Sequence, residues 1–586
     1  MKGFFKAFFA SLLALIVFCV LLFFFFAGVI GGLMESQEKV TVHTHSIVVL
    51  DLNTVLREQP YLNPLNAVLK KGDFKIEGLH QLVDGIHRAA ADPAIAGIYL
   101  KLNGNPNGYA TSEALRRALL QFKQSGKFVM AYGDVISQKD YYLASVADEI
   151  FLNPEGALDF SGFSMQMMFF KGAMDKLDIQ AQVFYDGQFK SATEPFRTTE
   201  MTPANKLQTR AYLNSLYAHF LSGISQQRQI DTSVLFTYAD KGLVQSADDA
   251  LDYGLVDALQ YPDEVRDALC RKMDRPLGSD LDFVSLADYS PSVKAVASGS
   301  AEKIAILYAQ GDIVSESLDG SMPHIDADRY VKLLREIRAD SSIKAVVLRV
   351  NSPGGSALAA DKIWRAVLLT RQIKPVVVSM GDYAASGGYY IACAADSIFT
   401  EANTLTGSIG VFGIIPNLQS FFKNKLGITF DGVKTARYAD MGRAVRPLTE
   451  TEKAFIQKGV DRVYRTFKSR VSQGRGLSDS AVERIAQGRV WSGSDAVTLG
   501  LADMLGGMPA AVACAGRMAG LDHYALVSYP KPDMPYEEVL ESLGKWKSQL
   551  VHEELGSYFP AFRQLKELQQ PSGEIMARLP FVLLGN

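Results

Sequence analysis

The sequence predicts an α/β protein that contains two copies of one α/β unit behind a single apolar N-terminal helix. Short β-branched runs alternate with amphipathic stretches such as 330–337 and 361–370. This alternation is typical of βαβ units with mainly parallel sheet. A chain of 586 residues also exceeds the size at which one hydrophobic core keeps growing, so two or more domains are expected.

The first element is the apolar segment at the N-terminus. No charged residue occurs between Ala7 and Leu33, and this length corresponds to about 40 Å of helix, enough to span a bilayer. Because Lys2 and Lys6 precede the segment, the positive-inside rule places the short N-terminus in the cytoplasm and the rest of the chain across the membrane. A cleaved signal peptide is the alternative, but its apolar region would be about half as long. We therefore predict a single transmembrane anchor in residues 1–39.

An internal repeat follows the anchor. The segment DPAIAGIYLKLN at Asp92 matches DSSIKAVVLRVN at Asp340, 248 positions later. At the same offset, GDVISQKDYYLASVADEI at Gly133 matches GDYAASGGYYIACAADSI at Gly381, with 8 of 18 positions identical. A constant offset across strand, turn and helix patterns indicates a duplicated structural unit.

The repeat defines the expected domains. We predict a first copy over residues 40–275 and a second over residues 302–525. Residues 276–301 contain the Pro, Gly and Ser punctuation of a linker. Residues 526–586 are charged and helical in pattern, so we predict a C-terminal helical extension on the outside or against a neighbouring subunit.

Composition excludes several classes of function. A net charge of -3 gives no electrostatic reason to expect nucleic acid as a partner. The four cysteines are scattered and form no CxxC pair, so the sequence predicts neither a zinc site nor a disulfide framework. We expect no metal and no other cofactor.

The stretch GDYAASGGYY, residues 381–390, contains a candidate nucleophile. Ser386 lies where an apolar strand run ends and an Ala-rich helix run begins, among neighbours that add no bulk. The free N–H groups of a starting helix suit a serine nucleophile and its oxyanion. Tight helix-on-sheet packing is the alternative role for these small residues. The first copy, however, has Gln138 at the aligned position, whereas a packing role would give both copies the same reason to keep the turn.

A second glycine-rich turn, NSPGGS at 351–356, follows the predicted strand 343–350. Gly354 and Gly355 could turn backbone N–H groups toward a ligand, as an oxyanion hole requires, although an ordinary βα turn would look similar. None of the eight histidines lies in either stretch. Since most serine hydrolases use a histidine base, a different base is needed here.

These motifs, on a duplicated chain behind an N-terminal anchor, resemble the signal peptide peptidase A (SppA) family in its long form. The resemblance extends to DGQFKSATEPFRTTEMTP at 186–203 in the first copy. It implies that each copy has a ClpP/crotonase-like fold and that the chain is a serine–lysine peptidase. In the long form, the second copy supplies the serine and the first copy supplies the lysine.

The resemblance assigns roles to particular residues. Ser386 would be the nucleophile and Lys190, in GQFKSA, the general base. Ser408 would hydrogen-bond the lysine amine. The backbone N–H groups of Gly387 and of the Gly354–Gly355 turn would form the oxyanion hole.

A lysine base must have a lowered pKa, because an ordinary lysine with a pKa of about 10.4 stays protonated at neutral pH. Burial disfavours the charged form and can lower that pKa by several units. The neighbours of Lys190 include five apolar residues: Phe184, Tyr185, Phe189, Pro195 and Phe196. We expect Glu194 and Arg197 to face outward, where they would not interfere. Lys434, in the aligned segment of the second copy, is the rival base.

The resemblance implies a membrane-anchored serine endopeptidase that degrades signal peptides already cut from exported proteins. It further implies a homotetramer whose catalytic domains lie on the periplasmic side of the bacterial inner membrane. Two alternatives stay open at this point. One is a crotonase-type acyl-CoA enzyme, which an anchored external domain disfavours because CoA esters are cytosolic. The other is a non-catalytic membrane scaffold.

Overall fold

The structure is a computed structural model that describes most of the chain beyond the N-terminal segment. The described residues are 13, 17–18, 42–62, 75–292, 302–315, 323–531 and 575–579. Most of the predicted anchor and most of the predicted C-terminal extension therefore lie outside the described residues. Within the described part of the chain, no helix has both the length and the apolar character needed to cross a bilayer.

The first copy alternates strands with helices. Its strands are β1 (Ser46–Asp51), β2 (Tyr61–Leu62), β3 (Lys75–Ile76), β4 (Ile95–Lys101), β5 (Phe128–Ile136), β6 (Glu149–Leu158), β7 (Gln180–Asp186), β8 (Ala258–Leu259) and β9 (Phe283–Ser285). Its helices are α1 (Leu79–Ala91), α2 (Tyr109–Lys123), α3 (Gln138–Ala144), α4 (Lys171–Lys176), α5 (Glu194–Arg197), α6 (Pro203–Arg228), α7 (Thr232–Asp240), α8 (Ala247–Asp252), α9 (Pro262–Lys272) and α10 (Leu286–Ser292), with a 3₁₀ turn at Ser191–Thr193.

The second copy repeats this alternation. Its strands are β10 (Lys303–Gln310), β11 (Asp312–Val314), β12 (His324–Asp326), β13 (Ile343–Ser352), β14 (Gly354–Ser356), β15 (Val376–Ala385), β16 (Ser397–Thr400), β17 (Leu405–Gly407), β18 (Val411–Asn417), β19 (Val490–Ser492), β20 (Met504–Leu505) and β21 (Ala525–Tyr529), and β22 (Met576–Arg578) follows near the C-terminus. Its helices are α11 (Ala327–Ala339), α12 (Ala357–Arg371), α13 (Gly387–Ala392), α14 (Gln419–Leu426), α15 (Glu450–Arg475), α16 (Asp479–Ile485), α17 (Gly493–Thr498) and α18 (Met508–Met518).

The two copies share one sheet topology. The sheet of the first copy has the order β8-β6-β5-β4-β1-β9, and all of its neighbouring strands are parallel. In the main sheet of the second copy, the strands β20-β16-β15-β13-β10-β21 follow the same order, and β17 pairs with the C-terminal end of β15 and with β19. Its pairs are parallel except for β17 with β19. The common order confirms the predicted duplication of an α/β unit.

Both faces of the second sheet are covered, as expected for parallel strands in an α/β fold. In β13, Val346 and Leu348 pack into the larger core layer with α12 and α13, whereas Ala345 and Val347 face the opposite layer with α18. Because successive residues of a strand point to opposite faces, the central run 345–348 of β13 is apolar at every position. This rigid central strand leads into the glycine-rich turn at Gly354.

The copy boundaries differ from the predicted ones. Within the predicted linker, β9 pairs with β1 and α10 packs against α1, so the first copy continues to residue 292. In the same way β21 pairs with β10, which extends the second copy to Tyr529. Each short strand covers a sheet edge that would otherwise be open. A three-residue strand such as β9 is too short for its alternation to be recognised in the sequence.

The predicted helical extension also contains a strand. Met576–Arg578 forms β22, which lies in a third sheet of order β12-β11-β14-β22-β18-β7. Neighbouring strands on both sides determine its conformation, so tertiary context overrides the local pattern here. The same sheet joins the two copies, because β7 of the first copy pairs antiparallel with β18 of the second over seven residue pairs.

A buried ion pair also connects the copies. The Arg349 guanidinium in β13 donates from Nε to Oε2 of Glu58, in the first copy, at 2.9 Å, and both side chains are almost fully buried. Arg349 also donates to Ser379 Oγ at 2.9 Å and to the Met380 carbonyl at 2.7 Å in β15. One charged network therefore fixes the first copy to the two strands whose turns carry the predicted site residues.

Replacing Glu58 with alanine should destabilise the protein by about 3–5 kcal/mol, because the buried Arg349 charge would lose its partner. The free energy of unfolding, measured in urea, checks this expectation. The matched control is Glu200→Ala, which breaks an exposed ion pair with Lys206 and should cost less than about 1 kcal/mol. Equal losses for the two variants would contradict a structural role for the Glu58–Arg349 pair.

Candidate active site

Ser386 lies at the junction between β15 and α13, as predicted. Its backbone has φ 54° and ψ −113°, a conformation that costs a non-glycine residue about 1–3 kcal/mol. Two backbone hydrogen bonds stabilise this strained turn: Ser386 N donates to Gly407 O at 2.8 Å, and Tyr390 N donates to Ser386 O at 2.8 Å. The surrounding structure thus fixes the direction of a fully buried hydroxyl.

Lys190 reaches this hydroxyl from the first copy. Its Nζ lies 2.9 Å from Ser386 Oγ, 3.1 Å from Ser408 Oγ and 3.3 Å from the Ser408 carbonyl oxygen. The loop that carries Lys190 is bound to the second copy, since Phe189 N donates to Gln487 O at 2.7 Å. Gly488 provides the space for this contact, because a Cβ there would lie 2.8 Å from Lys190 Cα.

Burial sets the protonation of the lysine. Lys190 is 1% exposed, and burial lowers the pKa of its amine well below the usual value. The polar groups around the amine are hydroxyls and a carbonyl, which cannot compensate a charge as a carboxylate would. A neutral amine beside a serine hydroxyl can accept the proton of that hydroxyl.

Ser408 lies within hydrogen-bonding distance of the Lys190 amine. It follows β17 with a positive φ of 50°, and its backbone N donates to Arg489 O at 2.7 Å. Both its hydroxyl and its carbonyl face Lys190 Nζ. Two amine hydrogens can therefore be donated to Ser408, which leaves the lone pair of a neutral amine directed at Ser386.

The two glycine-rich turns meet beside Ser386, but Gly354 does not have the role that was predicted for it. The N–H of Gly354 donates to Ser352 Oγ at 3.2 Å and is not directed at a ligand. Gly387 is the first residue of α13, so its N–H has no acceptor within the helix. A Cβ on Gly387 would lie 3.1 Å from Gly355 N. The N–H groups of Gly355 and Gly387 are thus close together, and Gly354 contributes space.

The structure leaves the rival base at the surface. The Lys434 side chain is 43% exposed, and its Nζ forms an ion pair with Asp440 at 2.9 Å. The structure brings Lys190, Ser386 and Ser408 together and does not bring Lys434 to them.

The expectation that Glu194 faces outward is wrong. Its side chain is buried and accepts hydrogen bonds from Thr202 Oγ1 at 2.5 Å and Asn205 Nδ2 at 2.8 Å. These donors satisfy the carboxylate and hold α5 against the start of α6. Arg197 is partly buried, and its guanidinium lies 4.7 Å from the centre of the Tyr185 ring.

Sequence reasoning missed Gln208 in α6. Its Nε2 donates to Phe189 O at 3.0 Å and to Ser191 Oγ at 3.1 Å, on either side of the lysine. Its Oε1 accepts from Val490 N of the second copy at 3.1 Å. A fully buried amide thus holds the lysine loop against β19. The amphipathic pattern of α6 is weak, so it gave no signal for this residue.

The equivalent turn of the first copy is filled. Gln138, at the position aligned with Ser386, donates from Nε2 to Gly162 O at 3.0 Å and accepts from Gly162 N at 2.9 Å. The next residue, Lys139, donates to Asn107 O at 3.2 Å where the second copy has glycine. In the first copy, polar side chains that bond to neighbouring loops thus occupy the turn where the second copy has Ser386 and Gly387.

Comparison with known proteins defines the class of the molecule. A family model described as Peptidase family S49 matches residues 121–274 and 369–522, one match in each copy. Protease 4 from Salmonella typhi is 33% identical over 565 residues, covering 92% of this chain and 90% of that protein. The chloroplastic serine protease SPPA from Arabidopsis thaliana is 32% identical, covering 80% of this chain and 70% of that protein.

The chain is also similar to two further proteins. Protease 4 from Haemophilus influenzae is 34% identical over 82% of this chain and 78% of its own length. Among solved structures, a ClpP1 variant from Listeria monocytogenes covers 35% of this chain and 94% of its own, with 17% identity and a TM-score of 0.24. The ClpP/crotonase-like fold of each copy stays a prediction.

The molecule is a serine peptidase. The chain belongs to peptidase family S49, in the long, duplicated SppA form. Because the chain belongs to this family, we reject the two alternative interpretations of the sequence, an acyl-CoA enzyme and a non-catalytic scaffold.

The buried lysine should make the stability of the protein depend on pH. In the unfolded chain Lys190 has an ordinary pKa of about 10.4, so below that pH the unfolded state binds a proton that the folded state releases. Stability should therefore rise with pH from the lowered pKa of Lys190 up to about 10.4. Lys190→Met should remove this pH-dependent destabilisation. It should therefore raise the free energy of unfolding above that of the wild type, and most strongly at lower pH.

Urea unfolding between about pH 7 and about pH 10 measures the difference in the free energy of unfolding between Lys190→Met and the wild type. The difference should shrink as the pH rises. Lys434→Met is the control and should show no such trend, since its amine is exposed. A pH-independent difference for Lys190→Met would mean that the buried amine is not neutral.

Proposed function

We propose that this protein is a membrane-anchored serine endopeptidase that uses a Ser386–Lys190 dyad to degrade signal peptides after protein export. The observation that carries the proposal is the 2.9 Å distance between Lys190 Nζ and Ser386 Oγ, within a fully buried pair. The lowered pKa of Lys190 supports a role as general base.

In the proposed mechanism, the neutral Lys190 amine takes the proton of Ser386 as Oγ attacks the peptide carbonyl. The N–H groups of Gly355 and Gly387 stabilise the negative oxygen of the tetrahedral intermediate. The protonated amine then donates its proton to the leaving nitrogen, and the acyl-enzyme forms. Water, deprotonated by the same amine, hydrolyses the ester and regenerates Ser386. Ser408 keeps the amine oriented through both half-reactions.

The location and assembly are parts of the same proposal. The charge-free segment 7–33, preceded by lysines, supports an anchor in the bacterial inner membrane with the catalytic copies on the periplasmic side. A peptidase held at that surface would meet apolar peptides as they leave the bilayer. Hydrophobic signal peptides as substrates and a homotetramer as the assembled form follow from the SppA resemblance.

Peptide cleavage by the detergent-solubilised full chain tests the dyad. Ser386→Ala and Lys190→Ala should each lower kcat by about a thousandfold or more, because each removes a reacting group. Lys434→Ala is the matched control and should leave kcat unchanged. Loss of activity in Lys434→Ala with retention in Lys190→Ala would overturn the assignment of the base.

The substrate class needs a separate comparison. Because we propose that the enzyme recognises the apolar side chains of its substrates, the wild type should cleave a hydrophobic signal peptide with a higher kcat/KM than a charged peptide of equal length. Equal kcat/KM values for the two peptides would leave the dyad intact and reject signal peptides as the preferred substrates.

A further inference from the structure

The helix α2 of the first copy begins without a cap of its own. Its N-cap residue is Gly108, which has no side chain to accept a hydrogen bond from the first turn. In the second copy the aligned residue, 248 positions later, is Ser356, and its hydroxyl accepts from Ala359 N at 3.3 Å at the start of α12. The two copies therefore differ at this helix end, and the first N–H groups of α2 need another acceptor.

An aspartate of the second copy supplies that acceptor. Asp382 in β15 accepts from Thr111 N at 2.9 Å through Oδ1 and from Thr111 Oγ1 at 2.6 Å through Oδ2. Thr111 is the third residue of α2 and aligns with Ala359. A Cβ on Gly108 would lie 2.2 Å from Asp382 Cγ, so the glycine leaves the space that the carboxylate fills. Asp382 thus caps α2 from the other copy.

The aligned aspartate of the first copy has different contacts. Asp134 lies 248 positions before Asp382. Its side chain is exposed and accepts from Tyr132 Oη at 2.6 Å and from Asn153 Nδ2 at 2.8 Å, both in its own copy. The same sequence position therefore makes a local contact in the first copy and a contact between the copies in the second.

The part of β15 that carries Asp382 departs from the regular ladder. Val350 of β13 pairs with Met380. The next pair is Ser352 with Ala384, so three residues of β15 lie opposite one residue of β13. Such a bulge bends the strand and changes the direction of the residues that follow it. Because the regular ladder is interrupted here, other groups must fix the bulged residues.

Hydrogen bonds from side chains hold this bulge at three successive residues. Thr404 Oγ1 donates to Gly381 O at 2.8 Å. Asn351 Oδ1 accepts from Tyr383 N at 3.2 Å. Asp382, between these two, is bound to α2 of the first copy. The strained nucleophile turn follows three residues after the bulge, so the position of the bulge sets the position of the nucleophile.

The start of α2 is itself firmly placed. Lys139, in the filled turn of the first copy, donates from Nζ to Asn107 O at 3.2 Å, just before the helix. Asn107 also accepts from Leu56 N at 2.7 Å and donates to Thr54 O at 3.1 Å. Both Lys139 and Asn107 are buried. The filled turn therefore supports the helix end to which Asp382 is bound.

We propose that Asp382 is a positioning residue for Ser386, and that it acts through its bonds to α2 of the first copy. The proposal rests on the serine–lysine chemistry proposed above. Asp382 lies four residues before Ser386, and its bonds to Thr111 fix the backbone that leads to the nucleophile turn. The first copy then contributes to the reaction twice, through Lys190 and through the helix that holds Asp382.

Steady-state cleavage of an added peptide by the detergent-solubilised full chain tests this role. Asp382→Ala should lower kcat by about tenfold or more and leave KM within about twofold, because a misplaced nucleophile slows the chemical step without changing the substrate-binding surface. Asp382→Asn should restore most of kcat, since its amide can accept from Thr111 N and donate to Thr111 Oγ1. Asp134→Ala, the same change at the aligned position of the first copy, is the matched control and should keep the wild-type kcat.

A double-mutant cycle tests whether Asp382 acts through α2. Thr111→Val removes the hydroxyl donor at nearly constant volume and should lower kcat in the wild-type background. In the Asp382→Ala background it should lower kcat no further, because the acceptor is already absent. Equal effects in the two backgrounds would overturn the proposed connection. If Asp382→Ala does not fold, a wild-type kcat in Thr111→Val would overturn it equally.

The pH dependence of kcat/KM separates positioning from an effect of charge. The Lys190 amine is bonded to Ser386 and Ser408, so its apparent pKa should be the same in Asp382→Ala as in the wild type, while the plateau falls. A shifted apparent pKa with an unchanged plateau would assign Asp382 an effect of charge and overturn positioning.

The remaining outcomes distinguish this proposal from the peptidase function. An unchanged kcat in Asp382→Ala, with or without a higher KM, would overturn the role of Asp382 and leave the Ser386–Lys190 dyad intact. A wild type that cleaves no peptide would overturn the dyad, and the positioning role with it.

Discussion

The burial of one amine is the constraint on which the rest of this site depends. Lys190 can act as a base only if its charged form is disfavoured, and the fold achieves this by excluding water and placing hydroxyls and a carbonyl around Nζ. Such an amine reduces stability, so the surroundings must hold it firmly. Gln208, the loop at Gly488 and the partners of Glu194 all serve to keep the lysine loop in place.

The duplication explains how this arrangement is assembled. The second copy retains a small, strained turn for the serine, and the first copy has filled its own turn with Gln138 and Lys139. The first copy instead supplies the lysine, carried across by β7 where it pairs with β18. The Glu58–Arg349 pair adds a second connection near the same strands. Neither copy has both members of the proposed dyad, so the interface between the copies is as much a part of the candidate site as either turn.

Sequence patterns predicted those features that depend on local order. The alternation of strands and helices and the position of Ser386 follow from residues that lie close together in the chain, and the repeat follows from comparing two such stretches. The role of Lys190 came only from the family resemblance, because the apolar residues near it in the chain do not by themselves show that its amine is buried beside a serine. Gln208 and the strand β22 were missed for a related reason: Val490, which bonds to Gln208, and β14, which pairs with β22, lie about two hundred or more positions away, and long-range context overrides local propensity.

The central claim is that the neutral amine of Lys190, from the first copy, activates Ser386, from the second. The rate at which a fluorophosphonate probe labels Ser386, measured as a function of pH, tests it most directly. The account predicts a labelling rate that rises through an apparent pKa well below the usual lysine value of about 10.4, and no comparable labelling in Lys190→Ala. Equally fast labelling of Lys190→Ala, or a wild-type rate that rises only near the usual lysine pKa, would contradict it.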